Sequence, residues 1–156
     1  SSKRLIKEFA VKFKAKPDIV FPLLCVKREL EWIPDWKYEE IFSNSGYMEE
    51  GFVYHVPEEN EGKCISYVSK YDRQNHQLTI LKLCNAYLFS LAISLKENAN
   101  GMSDGLFRYE ITTLKNSKSD SLDIFCKKIP LIQPQAIQDL LNAYLIKAGN
   151  INEPKQ

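Results

Sequence analysis

Tyr87-Leu88-Phe89-Ser90-Leu91-Ala92-Ile93-Ser94-Leu95 is the stretch on which the fold turns. Tyr87, Phe89, Leu91, Ile93 and Leu95 share one parity, and Ser90, Ala92 and Ser94 share the other. Successive side chains of a strand point to opposite faces, so this alternation describes a strand with one face on a core. The next segment, 105–115, repeats the pattern. Phe107, Tyr109 and Ile111 oppose Arg108, Glu110 and Thr112, which read as a solvated face. Moving back toward the N-terminus, further strands are predicted at 77–84, 64–72, 51–57 and 38–44. The breaks between them carry turn chemistry: Asn98 through Gly105, Asp72 through Asn75, Pro57 through Gly62, and Asn44-Ser45-Gly46. Connections this short join antiparallel neighbours.

The ends of the chain complete the picture. Leu5, Phe9, Val11 and Phe13 alternate with Glu8, Lys12 and Lys14, with Lys7 the exception, which predicts a half-buried first strand over 5–13. Pro17 then favours a helix start. Pro22 and Pro34 forbid one long helix, so two short ones are predicted at about 18–24 and 27–33, the second carrying Trp32 and leading to Trp36. From Ser119 onward, Leu122, Phe125, Ile129, Ile137, Leu140, Leu141, Tyr144 and Leu145 recur at helical spacing. Pro130 and Pro134 predict a break near 130–134, and Gly149 a C-terminal stop. The expected fold is α+β. A seven-stranded curved antiparallel sheet, with two short helices and a long C-terminal helix, encloses a cavity in one domain over 1–149. A polar tail follows at 150–156.

Composition excludes several function classes. The net charge is +1, and the basic residues form only short clusters such as Lys12-Lys14-Lys16 and Lys127-Lys128. Nucleic-acid binders carry a clear basic excess or stripe, so no nucleic-acid partner is expected. No apolar run approaches the roughly 20 residues of a membrane helix. The N-terminus has no apolar leader core, so a cytoplasmic protein without integral membrane association is expected. The cysteines, at 25, 64, 84 and 126, form no CxxC pair, and only His55 and His76 could join them. No zinc site or other cofactor is expected, and the cysteines read as free thiols in a reducing compartment. Neither GxSxG nor GxxxxGK[ST] occurs. Monomer and homodimer are both open.

Several segments resemble the START-like (SRPBCC) superfamily with the helix-grip fold. It includes Bet v 1-like pollen-allergen proteins, polyketide cyclase-like proteins and lipid-transfer domains. The run from Val20 through Trp36 resembles the segment after the first strand of small bacterial members. Gly46 with Gly51-Phe52-Val53-Tyr54, Tyr71-Asp72-Arg73 with Asn75-His76, and Tyr109 through Leu114 resemble later segments. Lys27 replaces a proline or small residue, Ser66 stands where tryptophan is frequent, and the last helix carries two prolines. The resemblance implies an apolar small-molecule ligand between sheet and C-terminal helix. It implies no shared catalytic residue.

Candidate cavity residues are Trp32, Trp36, Tyr54, Tyr67, Phe89, Tyr109, Phe125 and Tyr144, each also at home in a plain core. Candidate polar anchors are Arg28, Glu29 and His55. The alternative for Arg28 and Glu29 is an ion pair tying helix to sheet, and for His55 a hydrogen-bonded surface histidine. Three functions compete. The first is binding or transport of a lipid, aromatic or polyketide-like metabolite. The second is a cyclase or dehydratase using a residue of shifted pKa in the cavity. The third is an interaction module with a filled interior and an exposed apolar patch.

Overall fold

The computed structural model describes residues 3–57, 64–114 and 134–149. Its strands are β1 (Arg4–Phe13), β2 (Glu39–Phe42), β3 (Val53–His55), β4 (Ile65–Asp72), β5 (Gln77–Leu83), β6 (Tyr87–Glu97) and β7 (Ser103–Thr113). They form one antiparallel sheet in the order β1-β7-β6-β5-β4-β3-β2. The lone first strand pairs with the last, as its isolation in the sequence requires. Helix α1 (Pro17–Leu23) and a single 3-10 turn (Arg28–Glu31) precede β2, and helix α2 (Pro134–Lys147) follows the sheet. Pro134 opens α2, where its missing N–H costs nothing. Gly149 has a φ of 69°, a left-handed conformation suited to the helix stop expected of it. The expected helix over 119–133, its break, Phe125 and the tail lie outside the described residues.

The register stacks inner-face side chains into rows across the sheet. One row runs Leu78, Ile93, Phe107 and Phe9. The next runs Val68, Ile80, Leu91 and Tyr109. A third runs Tyr54, Ser66, Lys82, Phe89 and Ile111. Where β1 meets β7, the backbones crowd a buried layer. A Cβ on Gly105 would stand 2.8 Å from Val11 Cγ2, so only glycine fits there.

Two tryptophans fix the short helical segment. A helix end leaves carbonyls without partners. Trp32 Nε1 donates to the Leu23 carbonyl at 2.7 Å, and Trp36 Nε1 donates to that of Val26 at 2.8 Å. Phe21 of α1 stacks on Tyr71 at 5.5 Å and meets His76 edge-on at 5.7 Å. His76 Nε2 also sits 2.7 Å from Asp18 Oδ1, tying α1 to the β4–β5 turn.

Helix α2 buries Ile137, Leu141 and Leu145. Its polar side grips the outer edge of β1. Gln138 Oε1 accepts from Lys12 N at 2.8 Å, and Asn142 Oδ1 accepts from Lys14 N at 2.9 Å. Asn142 Nδ2 returns a bond to the Lys12 carbonyl at 3.0 Å. These residues are one helical turn apart, so they meet backbone groups two residues apart on the strand. Replacing both (Gln138→Ala with Asn142→Ala) should destabilise the protein by about 1–2 kcal/mol. Amide exchange at Lys12 and Lys14 should accelerate while β6 stays protected. Unchanged exchange at those two amides would show that the grip carries no weight.

Two expectations need correction. Cys64 and Cys84 are not free thiols. They flank the Ile65–Leu83 pair of the β4–β5 ladder, which brings their Cα atoms to 4.4 Å, and they form a disulfide. Cys25 is free and buried. With the pairing goes the ground for expecting a reducing setting. Tyr67 is not a cavity residue: it faces outward and is 46% exposed. A bulge between Val68 and Lys70 inverts the alternation within β4. Ser66 and Val68 therefore point inward before it and Tyr71 after it, so Tyr71 is the inward aromatic of this strand.

Candidate functional site

The inner face is not filled evenly. Leu78, Ile93 and Phe107 are buried, as are Val68, Tyr109 and Ile111. Between them Ile80, Lys82, Phe89 and Leu91 are only half-buried. These four form two adjacent cross-strand pairs, Ile80 with Leu91 and Lys82 with Phe89. The middle of the sheet's inner face therefore offers a contiguous apolar floor with one amine. Phe89 meets Tyr109 at 5.7 Å between ring centres, and Tyr109 meets Phe9 edge-on at 5.6 Å. This aromatic run leads from the floor to the β1 edge.

A polar corner lies at the β3–β4 side. Tyr54 is buried, hydrogen-bonded to Ser66, and flanked by Tyr38 and Phe52. Glu29, on the 3-10 turn, is half-buried. Burial alone raises its pKa from 4.5 to about 8, and no donor or cation among the described residues meets it. It is therefore a neutral acid at pH 7. Burial, and then the nearby Glu29, push Tyr54 above the ordinary phenol range. The Cys25 thiol, raised to about 11 mainly by burial, points to the Tyr71 hydroxyl at 3.9 Å.

The proposed partner of Glu29 goes elsewhere. Arg28 pairs with Glu31 on the surface, through Nε and through Nη2 at 3.4 Å. Tyr144 of α2 donates its hydroxyl to Glu31 Oε1 at 2.7 Å. Arg28 and Glu29 part ways because the 3-10 turn aims adjacent residues in different directions. His55 lies next to Tyr54 on β3 and so faces the other way. Its Nδ1 is 2.7 Å from the Cys64 carbonyl, which makes it a structural histidine. Trp32 and Trp36 spend their indole N–H groups on backbone, and Tyr144 spends its hydroxyl on Glu31.

Of the candidates, Tyr54, Phe89 and Tyr109 lie on the inner face of the sheet, with Phe89 against Tyr109, and Glu29 lies on the 3-10 turn. Arg28, His55 and Tyr67 stand outside that face. Lys82, Ile80, Leu91 and Tyr71 were missed. For Lys82 the signal was present, since it shares parity with Leu78 and Ile80. Among the described residues no group of three His, Cys, Asp or Glu could hold a metal, and no helix is long and apolar enough to cross a membrane.

No protein-family model and no curated protein sequence matches the chain. Solved structures do. Norcoclaurine synthase from Thalictrum flavum superposes with a TM-score of 0.71 at 13% identity, covering 94% of this chain and 89% of that one. Ara h 8.0201 gives 0.64 at 17% identity, covering 93% and 99%. An uncharacterized protein from Rhizobium leguminosarum gives 0.62 at 12%, covering 94% and 97%. The likeness extends over almost the whole of each chain. This chain has a Bet v 1-like helix-grip fold.

Proposed function

We propose that the protein binds an apolar small molecule, a lipid, aromatic or polyketide-like metabolite, between the inner face of the sheet and α2. The observation that carries this reading is the half-buried floor of Ile80, Lys82, Phe89 and Leu91, surrounded by fully buried neighbours. Apolar side chains left partly uncovered inside a shell of buried ones cost free energy that an apolar ligand recovers. Ligand-binding sites are built this way, and the fold of the structural neighbours is compatible with it.

The interaction-module alternative needs two things. An exposed apolar row is available on the outer face, where Phe42 and Leu83 are each 53% exposed beside Tyr67. The filled interior it also needs is at odds with the floor. Acid–base chemistry on the ligand is a second reading, favoured by Glu29, whose pKa of about 8 lies near the operating range of a proton-transfer group.

Native mass spectrometry of protein purified from its own host should show an adduct of small-molecule mass. The fluorescent probe 1-anilinonaphthalene-8-sulfonate should bind, and Phe89→Trp should weaken it about tenfold by filling the floor, an effect worth roughly 1.4 kcal/mol. Repeated recovery of empty protein that leaves the probe dark would sink the reading.

A further inference from the structure

We propose that Lys82 is the anion anchor of this site, and that the ligand is a ring-bearing carboxylic acid held with its carboxylate at Lys82 and its rings over Phe89 and Leu91. This rests on the binding reading above and names the class of its ligand.

The place of the amine sets it apart. Strand β5 is the middle one of seven, with three strands on each side. Its inward side chains are Leu78, Ile80 and Lys82. Other charged residues of the described strands share the inner parity, but they stand at the margins. Lys7 is on the border strand β1, Glu40 on the border strand β2, and Glu97 at the last position of β6. Among the described residues Lys82 alone carries charge onto the middle of this face, where it is half-buried. Its cross-strand partners are Ser66, which is buried, and Phe89. Taking an ammonium out of water costs free energy that an aliphatic side chain at the same place would not incur. Leucine or isoleucine would complete the floor at lower cost, so a lysine here calls for an anion. Lys82 also makes an interaction within the protein, which a ligand carboxylate would share or displace.

The neighbours suit an anion on one side and a ring on the other. Tyr54 and Ser66 are hydrogen-bonded to each other and stand in the same row as Lys82. Two hydroxyls carry two O–H groups and spend one on their mutual bond, so the other can donate. An ammonium and a hydroxyl can together serve both oxygens of a carboxylate. Beyond Lys82 the row continues into Phe89 and Ile111, and the next row offers Ile80, Leu91 and Tyr109. Two strand spacings, about 10 Å, lie between β5 and β7, enough for a two-ring body. One ammonium balances one negative charge. A phosphate monoester carries about −1.5 to −2 and would leave the excess facing hydrocarbon, which favours a carboxylate.

The test compares 2-naphthylacetate, its neutral amide 2-naphthylacetamide, 2-(2-naphthyl)ethylamine and 2-naphthyl phosphate by calorimetry at neutral pH. The wild type should bind the acetate about tenfold tighter than the amide, the size of one charge-assisted hydrogen bond, and tighter than the phosphate. Lys82→Met should bind the amide as the wild type does and lose the preference for the acetate. Lys82→Arg should keep that preference. Without ligand, Lys82→Met should resist urea at least as well as the wild type, because the charge no longer has to be desolvated. A preference for the acetate that survives Lys82→Met overturns the anchor, as does tightest binding of the amine or the phosphate. A Lys82→Met protein that unfolds at clearly lower urea marks a lysine built for the fold and overturns it too. Equal binding of acetate and amide by the wild type overturns the anchor and leaves the binding site standing. Failure of every naphthalene to bind overturns the site itself, and the anchor with it. Circular dichroism confirms that each variant is folded.

Discussion

Glu29→Gln should make the protein more stable, and the gain should grow with pH. In the unfolded chain Glu29 titrates near 4.5, and in the native state near 8. Between those values the unfolded state releases its proton and the native state keeps it. Stability falls with rising pH wherever the native state binds more protons, so the wild type loses stability across this window. Below about 4.5 both states are protonated and the penalty is absent. Glutamine is neutral throughout and escapes it. A shift of this size corresponds to roughly 3–5 kcal/mol once pH passes 8. Urea midpoints of both proteins at about pH 4, 6, 8 and 9 isolate the effect, because every other titrating group is common to both. The curves should start together and separate above pH 5. Parallel curves would mean that the carboxyl reaches water or a cation.

The second large effect concerns Cys64 and Cys84. Their bond closes a loop with a sequence separation of 20, and removing it should cost about 3 kcal/mol through the entropy regained by the unfolded chain. Dithiothreitol should lower the unfolding free energy of the wild type in urea by that amount and leave that of Cys64→Ala/Cys84→Ala unmoved. Under denaturing conditions the unreduced chain should show two fewer reactive thiols than the reduced one. Equal thiol counts would remove the bond from the native structure. The pair lies one inward position beyond Ser66 and Lys82, so it fastens β4 to β5 beside the floor. Reduced protein should therefore also lose affinity for the apolar probes.

The sheet was legible because its strands alternate strongly. The inward set of β6, from Tyr87 to Leu95, and that of β7, Phe107, Tyr109 and Ile111, follow from period two alone. Prolines 17, 22 and 34 marked the short helices for steric reasons that need no tertiary context. Tyr67 was misplaced because a bulge leaves no mark in composition, and one extra residue exchanges the faces. The disulfide was hidden because spacing along the chain says nothing about register: Cys64 and Cys84 meet only once β4 and β5 are paired. Glu29 was legible as a candidate, but its isolation was not. Which of three successive charged residues turns inward depends on the geometry of a single 3-10 turn, and Arg28 has two acidic neighbours to choose from.

The grip of α2 on β1 has a consequence for encounters between molecules. A sheet that ends in an uncovered strand offers its spare N–H and C=O groups to any extended chain that passes. Gln138 and Asn142 occupy those groups at Lys12 and Lys14, so this stretch is closed to a visiting strand. The opposite border is guarded differently. There β2 is four residues long, is interrupted by a register shift after Glu40, and begins with two glutamates. The β1 border is thus closed to a visiting strand at Lys12 and Lys14, and the β2 border is short, interrupted and acidic, so each offers little length for a second sheet to add to.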